Sequence, residues 1–321
     1  MSTPPTIVVG LHGQTEPEYA HALAEAGAGE FFLGYVPEPW WKRWGFEVSP
    51  NRRYRQNQQF IERTRLEAVL KQATRDGIPV SLTFNEHFIT QDMWDAALPF
   101  LKDAVKLGVS AIIVADPGVL LPLRSEFPGL GLHVSGDAGV TNPRAVEWLH
   151  GLGATRVIFP RELAYGDMLP ILDDAPEGLE FEAFVMGEPC VYDGARCFTE
   201  HGYGFSCDFC NNHIRKTLFR RGESSGVPLD PPDAHWVDDP RHWAVRSLGK
   251  CGLCAIGPLM TQGVSHIKIP GRASQAMATT TLVARMLRHL NEGAPFARGL
   301  LEAPDVCSSK TFCYYPELAD D

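Results

Sequence analysis

Short runs rich in β-branched and aromatic residues recur along the chain: 6–11 (TIVVGL), 30–35 (EFFLGY), 79–84 (PVSLTF), 110–115 (SAIIVA), 131–135 (GLHVS), 156–160 (RVIFP), 179–185 (LEFEAFV) and 264–269 (VSHIKI). Each fits a strand buried on both faces. Between them, apolar positions return at helical spacing over 16–26, 60–75, 91–107, 143–152 and 274–291. Helix-ending glycines follow at Gly27, Gly77, Gly108, Gly153 and Gly293. This alternation predicts an α/β fold, a (β/α)8 TIM-like barrel. An open doubly wound sheet is the alternative. Against it, the first βα turn (GLHGQTEPE) lacks the G-x-G-x-x-G phosphate loop.

Two connections are long for a compact barrel, 36–59 after the second strand and 186–250 after the seventh. Both leave the C-terminal ends of strands, where barrel enzymes place their chemistry. The domain reading is one barrel over 1–292, which includes a cysteine-rich insertion over 186–262, followed by a tail over 293–321. Formal net charge is −10, with 44% apolar and 21% charged residues. Such a chain buries a core, and its acidity argues against a broad basic surface for nucleic acid while permitting a local basic patch. No apolar run reaches the roughly 18 residues of a membrane span. The opening MSTPPTIVVG lacks the basic and apolar regions of a secretory signal, so a cytoplasmic location is expected.

The eight cysteines are clustered: none precedes Cys190, six fall between Cys190 and Cys254, and Cys307 and Cys313 lie near the end. Clustered thiols in a chain without an export signal point to metal or redox work rather than to a disulfide scaffold. Cys207–Cys210 and Cys251–Cys254 are C-x-x-C pairs, a spacing that suits zinc. Six thiols exceed what one zinc needs, no histidine has finger spacing, and the group hangs over the presumed active face. These features favour an iron–sulfur cluster, with zinc as the alternative.

The stretch EAFVMGEPCVYDGARC (182–197) resembles the signature of the collagenase-like peptidase family U-32, through Glu182, Phe184, Gly187, Cys190 and Cys197, with Gly194 near the usual glycine. AGAGEFFLGY (26–35), LHVSGDAGVTNPRAV (132–146), FPRELAY (159–165) and IKIPGR (267–272) resemble further family segments in the right order. The resemblance implies a 4Fe–4S cluster and oxygen-independent hydroxylation. Relatives of this kind include a ubiquinone-biosynthesis hydroxylase pair and RNA-base hydroxylases, and prephenate is the implied oxygen donor in some. Carried over residue by residue, the implied ligands are Cys190, Cys197, Cys207 and Cys254, with Cys210 the competitor for the fourth place. Cys251 is left as a spare, and Cys307 and Cys313 match nothing. Pro270 stands where the family usually has glutamate, which points to a changed substrate. The peptidase label has little support, because no G-x-S-x-G, H-E-x-x-H or aspartic dyad motif is present.

Strand ends supply the remaining candidates. His12, Asn85, Glu86 and His87 follow strands one and three. His133 and Ser135 point to one side of strand five, with Asp137 just beyond it. Arg161 and Glu162 end strand six, either as groups of the active face or as a pair with each other. Lys268 points inward, with Glu182 as its counter-charge. Arg272 is placed to grip a carboxylate in a forked contact. His133, Asp137 and Arg272 are therefore the candidate catalytic residues. The loop after strand two gathers Trp40, Trp41, Lys42, Arg43, Trp44, Arg52, Arg53, Tyr54 and Arg55, and a second basic run holds Arg215, Lys216, Arg220 and Arg221. These two runs are the support for RNA.

The expected function is oxygen-independent hydroxylation of a small aromatic or prenylated molecule. An RNA base comes second, because the net charge is acidic and the chain ends soon after the eighth helix, without the extra domain of some RNA-modifying members. Behind these stand a peptidase and a non-catalytic subunit of a heterodimer with a related barrel protein.

Overall fold

A computed structural model of the chain describes residues 4–46, 48–53, 56–187, 195, 250–270, 276–293 and 313–318. Seven strands alternate with helices: β1 (Thr6–Gly10), β2 (Glu30–Gly34), β3 (Val80–Phe84), β4 (Ala111–Val114), β5 (Gly131–Val134), β6 (Arg156–Ile158) and β7 (Glu180–Phe184). Two short strands follow, β8 (Met186–Gly187) and β9 (Lys250–Cys251), and the last barrel strand is β10 (His266–Ile269). The eight long strands form a closed parallel barrel in the order β1-β10-β7-β6-β5-β4-β3-β2. Closure is made by β10 on β1, where Thr6 pairs with His266 and Val9 with Ile269, and it excludes the open sheet. The strands are buried on both faces because helices cover the outside and side chains fill the inside.

Helices α1 (Pro17–Glu25), α3 (Arg63–Arg75), α4 (Gln91–Lys106), α6 (Pro143–Gly151) and α9 (Ala276–Asn291) lie where apolar periodicity places them. Gly27, Gly77, Gly108, Gly153 and Gly293 all take positive φ just past those helices. The third helix starts later than its apolar pattern does, because Phe60 is held in a bridge to Tyr35.

Four helices escape the periodicity: α2 (Glu38–Trp44), α5 (Leu120–Glu126), α7 (Tyr165–Asp173) and α8 (Ile256–Thr261). Each is short and carries a proline, which weakens the periodic signal. In α2, Trp40 is fully buried and its Nε1 donates to Val48 O at 2.7 Å. Its ring also lies 4.5 Å from Trp44 and 5.8 Å from Phe100. Arg43 pairs with Asp92 and covers the Trp44 ring. This part of the loop is packed on the barrel rim rather than offered as a stacking platform.

β8 pairs antiparallel with β9, and Gly252 N donates to Val185 O at 2.8 Å. Both ends of the insertion are thereby rooted at the exit of β7, on the C-terminal face. Residues 313–318 return to the same place. Of the basic and aromatic residues singled out, Tyr54, Arg55 and the run Arg215–Arg221 lie outside the described residues. Among the described residues, no helix is long and apolar enough to cross a membrane.

Candidate active site

The barrel interior carries two polar layers. The lower one is an ionic network whose centre is Arg156 on β6. Its Nη1 reaches Glu30 Oε2 at 2.9 Å and Glu182 Oε2 at 3.0 Å, its Nε reaches Glu180 Oε2 at 2.9 Å, and its Nη2 donates to His266 Nε2 at 2.8 Å. Ser81 Oγ donates to Glu30 at 2.8 Å. Lys268 Nζ pairs with Glu182 Oε1 at 2.5 Å, as their inward positions on adjacent strands predict. His133 points inward too, with Nδ1 at 3.5 Å from Ser81 Oγ.

Burial pushes Glu182 up, but Lys268 and Arg156 outweigh it and hold the carboxyl at about 2. Burial raises Glu30 against the pull of Arg156. Burial, and then Arg156, lowers His133 well below its usual value and His266 to about 4. The lone pair of His266 Nε2 accepts from a guanidinium, so a proton there would face a cation. The sign follows from linkage. The unfolded histidines take up protons near pH 6.5 and the folded ones resist, so stability falls as pH drops from about 6.5 toward 4. The expected slope is on the order of 1 kcal/mol per pH unit for each histidine. Urea unfolding between pH 7 and pH 5 reads it, and an unchanged midpoint would contradict the assignment.

The upper layer is a pocket of about 520 Å³, counted to its open mouth. Phe32, Ile113, Ile158 and Phe184 give it apolar walls, and Arg53, Arg161 and Lys268 bring positive charge from three separate elements. Lys268 forms the floor, its Nζ 3.8 Å from the centroid of the Phe32 ring, and burial lowers its pKa against the pull of Glu182. Arg53 comes from the strand-two loop. Its Nη1 donates to Leu11 O at 2.6 Å and Gln58 O at 2.8 Å, and its guanidinium lies 5.2 Å from the Phe32 ring. Gly34 leaves the space for it, since a Cβ there would stand 2.8 Å from Arg53 Cδ. Arg161 lies over Phe184, 5.0 Å from the ring centroid.

Asp137 lines the same pocket. Asn85 Nδ2 donates to its Oδ2 at 2.9 Å, and Ser135 Oγ donates to the same oxygen at 3.3 Å. Ser135 Oγ also accepts from the Asp137 backbone N–H at 3.2 Å, so the carboxylate is fixed in place. Pro270 completes the rim, its carbonyl so close to Gly10 that a Cβ there would lie 2.0 Å away.

Of the candidate catalytic residues, Asp137 lines the pocket, His133 lies in the layer beneath it, and Arg272 is outside the described residues. Asn85 reaches the pocket, whereas Glu86 pairs with Arg52 at 3.2 Å. His12 Nδ1 accepts from Gln14 N at 3.1 Å, and burial followed by Arg53 lowers its pKa. Sequence reasoning missed Glu30, Arg156 and His266 as a network, although each is a polar residue at an inward position of a buried strand. Of the expected thiolate ligands, Cys190, Cys197, Cys207 and the alternate Cys210 lie outside the described residues. Cys254 is described, in the turn before α8, beside the exit of β7. Among the described residues, no group of three or more histidine, cysteine or acidic side chains is placed to hold a metal.

The insertion nevertheless meets the turn that follows Asp137. A Cβ on Gly139, two residues beyond Asp137, would lie 2.7 Å from the Ala195 methyl. Ala195 falls between Cys190 and Cys197.

A closed α/β barrel with a cationic pocket at its C-terminal mouth and a cysteine-bearing insertion that leaves and rejoins the barrel at the exit of β7 defines the class. The chain belongs to peptidase family U32, whose model matches residues 15–299. It is 36% identical over 97 residues to tRNA hydroxylation protein P of Escherichia coli strain K12, covering 30% of this chain and 21% of that protein. It is 34% identical over 193 residues to the protein of the same name from Helicobacter pylori strain J99, covering 58% and 45%. A match of 27% over 129 residues joins it to the Escherichia coli 23S rRNA 5-hydroxycytidine C2501 synthase, covering 40% of this chain and 19% of that protein. The chain thus spans less than half the length of these relatives. A solved U32 peptidase, Mk0906, shares the fold with a TM-score of 0.50 at 15% identity, over 84% of this chain and 93% of that one.

Proposed function

We propose that the chain acts in oxygen-independent hydroxylation of an RNA base, with a 4Fe–4S cluster held at the barrel mouth. The observation that carries this reading is the position of the insertion: Ala195 touches the turn that follows Asp137, and the Cys251–Cys254 stretch is bonded to the exit of β7. The described Cys251–Cys254 end of the insertion stands at the exit of β7, and thiolate donors suit iron–sulfur ligation. Cys190, Cys197, Cys207 and Cys254 would hold the cluster, with Cys210 the alternate fourth ligand and zinc the alternative metal. With all four thiolates every iron would be closed, so a bound cluster would supply electrons; an open iron position for the oxygen donor would need one of the four to be absent.

The relatives named for tRNA and rRNA hydroxylation support RNA, and they reverse the order that acidity suggested, in which a small aromatic or prenylated substrate came first. Net charge averages over the whole chain and does not report local basic groups such as Arg53, Arg161 and Lys268 in the pocket. In this reading Arg53, Arg161 and Lys268 bind an anionic oxygen donor such as prephenate, since guanidinium and ammonium groups in an apolar recess favour carboxylates. Asp137, fixed by Asn85 and Ser135, takes or returns a proton at the reacting group. A base flipped out of its stack enters from the rim. Action in the cytoplasm, and pairing with a related barrel protein, belong to the same proposal.

The test is anaerobic purification with iron, sulfide and zinc quantified. Incubation with unmodified tRNA and prephenate without oxygen follows, with nucleosides read by mass spectrometry. About four irons per chain, lost on alanine exchange at Cys190, Cys197, Cys207 or Cys254, and a nucleoside heavier than its parent by one oxygen atom are expected. Stoichiometric zinc would overturn the cluster, and peptide cleavage that survives iron removal would turn the reading to a peptidase.

A further inference from the structure

Cys251 and Cys313, the spare thiol and one of the two unassigned tail thiols, meet in the fold. Cys251 ends β9, and Cys313 is its partner in an isolated parallel bridge, with Tyr314 N donating to Cys251 O at 2.8 Å. Neighbouring strands lie about 4.8 Å apart, inside the roughly 4.4–6.8 Å Cα span that a disulfide needs. Bridged residues of a parallel pair send their side chains to the same face. Both cysteines are half-buried, so a small oxidant reaches them.

The segment that carries Cys313 is tied to the pocket wall. Tyr315 Oη donates to Phe184 O at 2.9 Å, and Tyr314 Oη donates to Gly187 O at 2.5 Å. The Tyr314 ring stacks on Phe184 with centroids 6.1 Å apart, and Lys250 Nζ lies 5.4 Å from the Tyr314 centroid. Gly252 permits the approach, since a Cβ there would stand 2.9 Å from the Tyr315 ring. Phe184 lines the pocket, so whatever fastens this strap also fixes the pocket wall.

We infer that Cys251 and Cys313 form a reversible disulfide that locks the C-terminal strap to the root of the cysteine-bearing insertion. The oxidant is a low-molecular-weight disulfide. Its S–S bond and the two protein S–H bonds break, one protein S–S bond forms, and two small thiols leave with both protons. A dithiol reverses the step. The inference goes beyond the proposed function and requires only that these two thiols are not metal ligands.

The experiment incubates the full-length holoprotein with glutathione disulfide, alkylates remaining thiols and maps unreduced peptides by mass spectrometry. A linked peptide joining Cys251 and Cys313, lighter by two hydrogens than its halves, is expected. It disappears with dithiothreitol and in Cys313→Ser. The double variant Cys251→Ser/Cys313→Ser is expected to keep wild-type iron and sulfide. Links from Cys313 only to other cysteines, or full alkylation of both thiols after oxidation, overturn the inference. Loss of iron in the double variant overturns it too, because the pair would then be ligands. Cys190→Ala, run in parallel, separates the readings: it still gives the link when the cluster is absent.

Discussion

Arg156→Met is expected to lower stability by about 3–5 kcal/mol, the cost of stripping a buried ion network of its central cation. The guanidinium touches Glu30, Glu180, Glu182 and His266 from three other strands. Without it, Glu182 keeps Lys268, but Glu30 keeps only the Ser81 hydroxyl and the distant His266. A buried carboxylate in that state takes up a proton rather than remain charged. The loss is therefore expected to shrink as pH falls toward 5, opposite in direction to the histidine effect in the wild type. Methionine fills similar space, which separates charge loss from cavity formation. Such a loss would remove a large share of a typical total of about 5–15 kcal/mol. Urea midpoints at two pH values measure it, and a cost below about 1 kcal/mol would show that the network is not held by its arginine.

Asp137→Asn is expected to leave folding nearly unchanged and to reduce hydroxylation on the order of 100-fold or more, the usual contribution of a general acid or base. The amide keeps the shape and one acceptor oxygen for Asn85 and Ser135. It cannot exchange a proton with the reacting group, and it removes a carboxylate from the pocket that Arg53, Arg161 and Lys268 also line. Donor affinity is expected to change less than turnover, because the three cations remain. A variant with wild-type turnover and altered melting would make Asp137 a structural residue.

Much of the architecture is legible in the chain. Eight mainly apolar runs became the eight barrel strands with ends shifted by at most two residues, because a doubly buried strand is apolar except where an inward polar group finds a partner. The glycines after helices were legible for a similarly local reason, since a left-handed residue ends the turn. Lys268 and Glu182 could be paired from their positions on neighbouring strands. Arg156 with Glu30 could not, because their contact spans the barrel between residues 126 positions apart. The tryptophans of the strand-two loop left two readings, a stacking surface and packing on the barrel rim; Trp40 is interior, as rim packing requires, while Arg53 enters the pocket. Composition cannot tell which side of a loop faces the rim.

By itself the sequence determined the strand and helix order, the closed parallel class and the presence of a cysteine-rich excursion at the active end, because all of these follow from periodicity and spacing along the chain. Tertiary structure decided which side chains share a compartment. It put Asp137 in the pocket and His133 beneath it, gathered three cations at one mouth, and brought Cys313 beside Cys251. Those outcomes depend on barrel closure and strand register, which bring distant positions within a few ångströms and which no local pattern encodes.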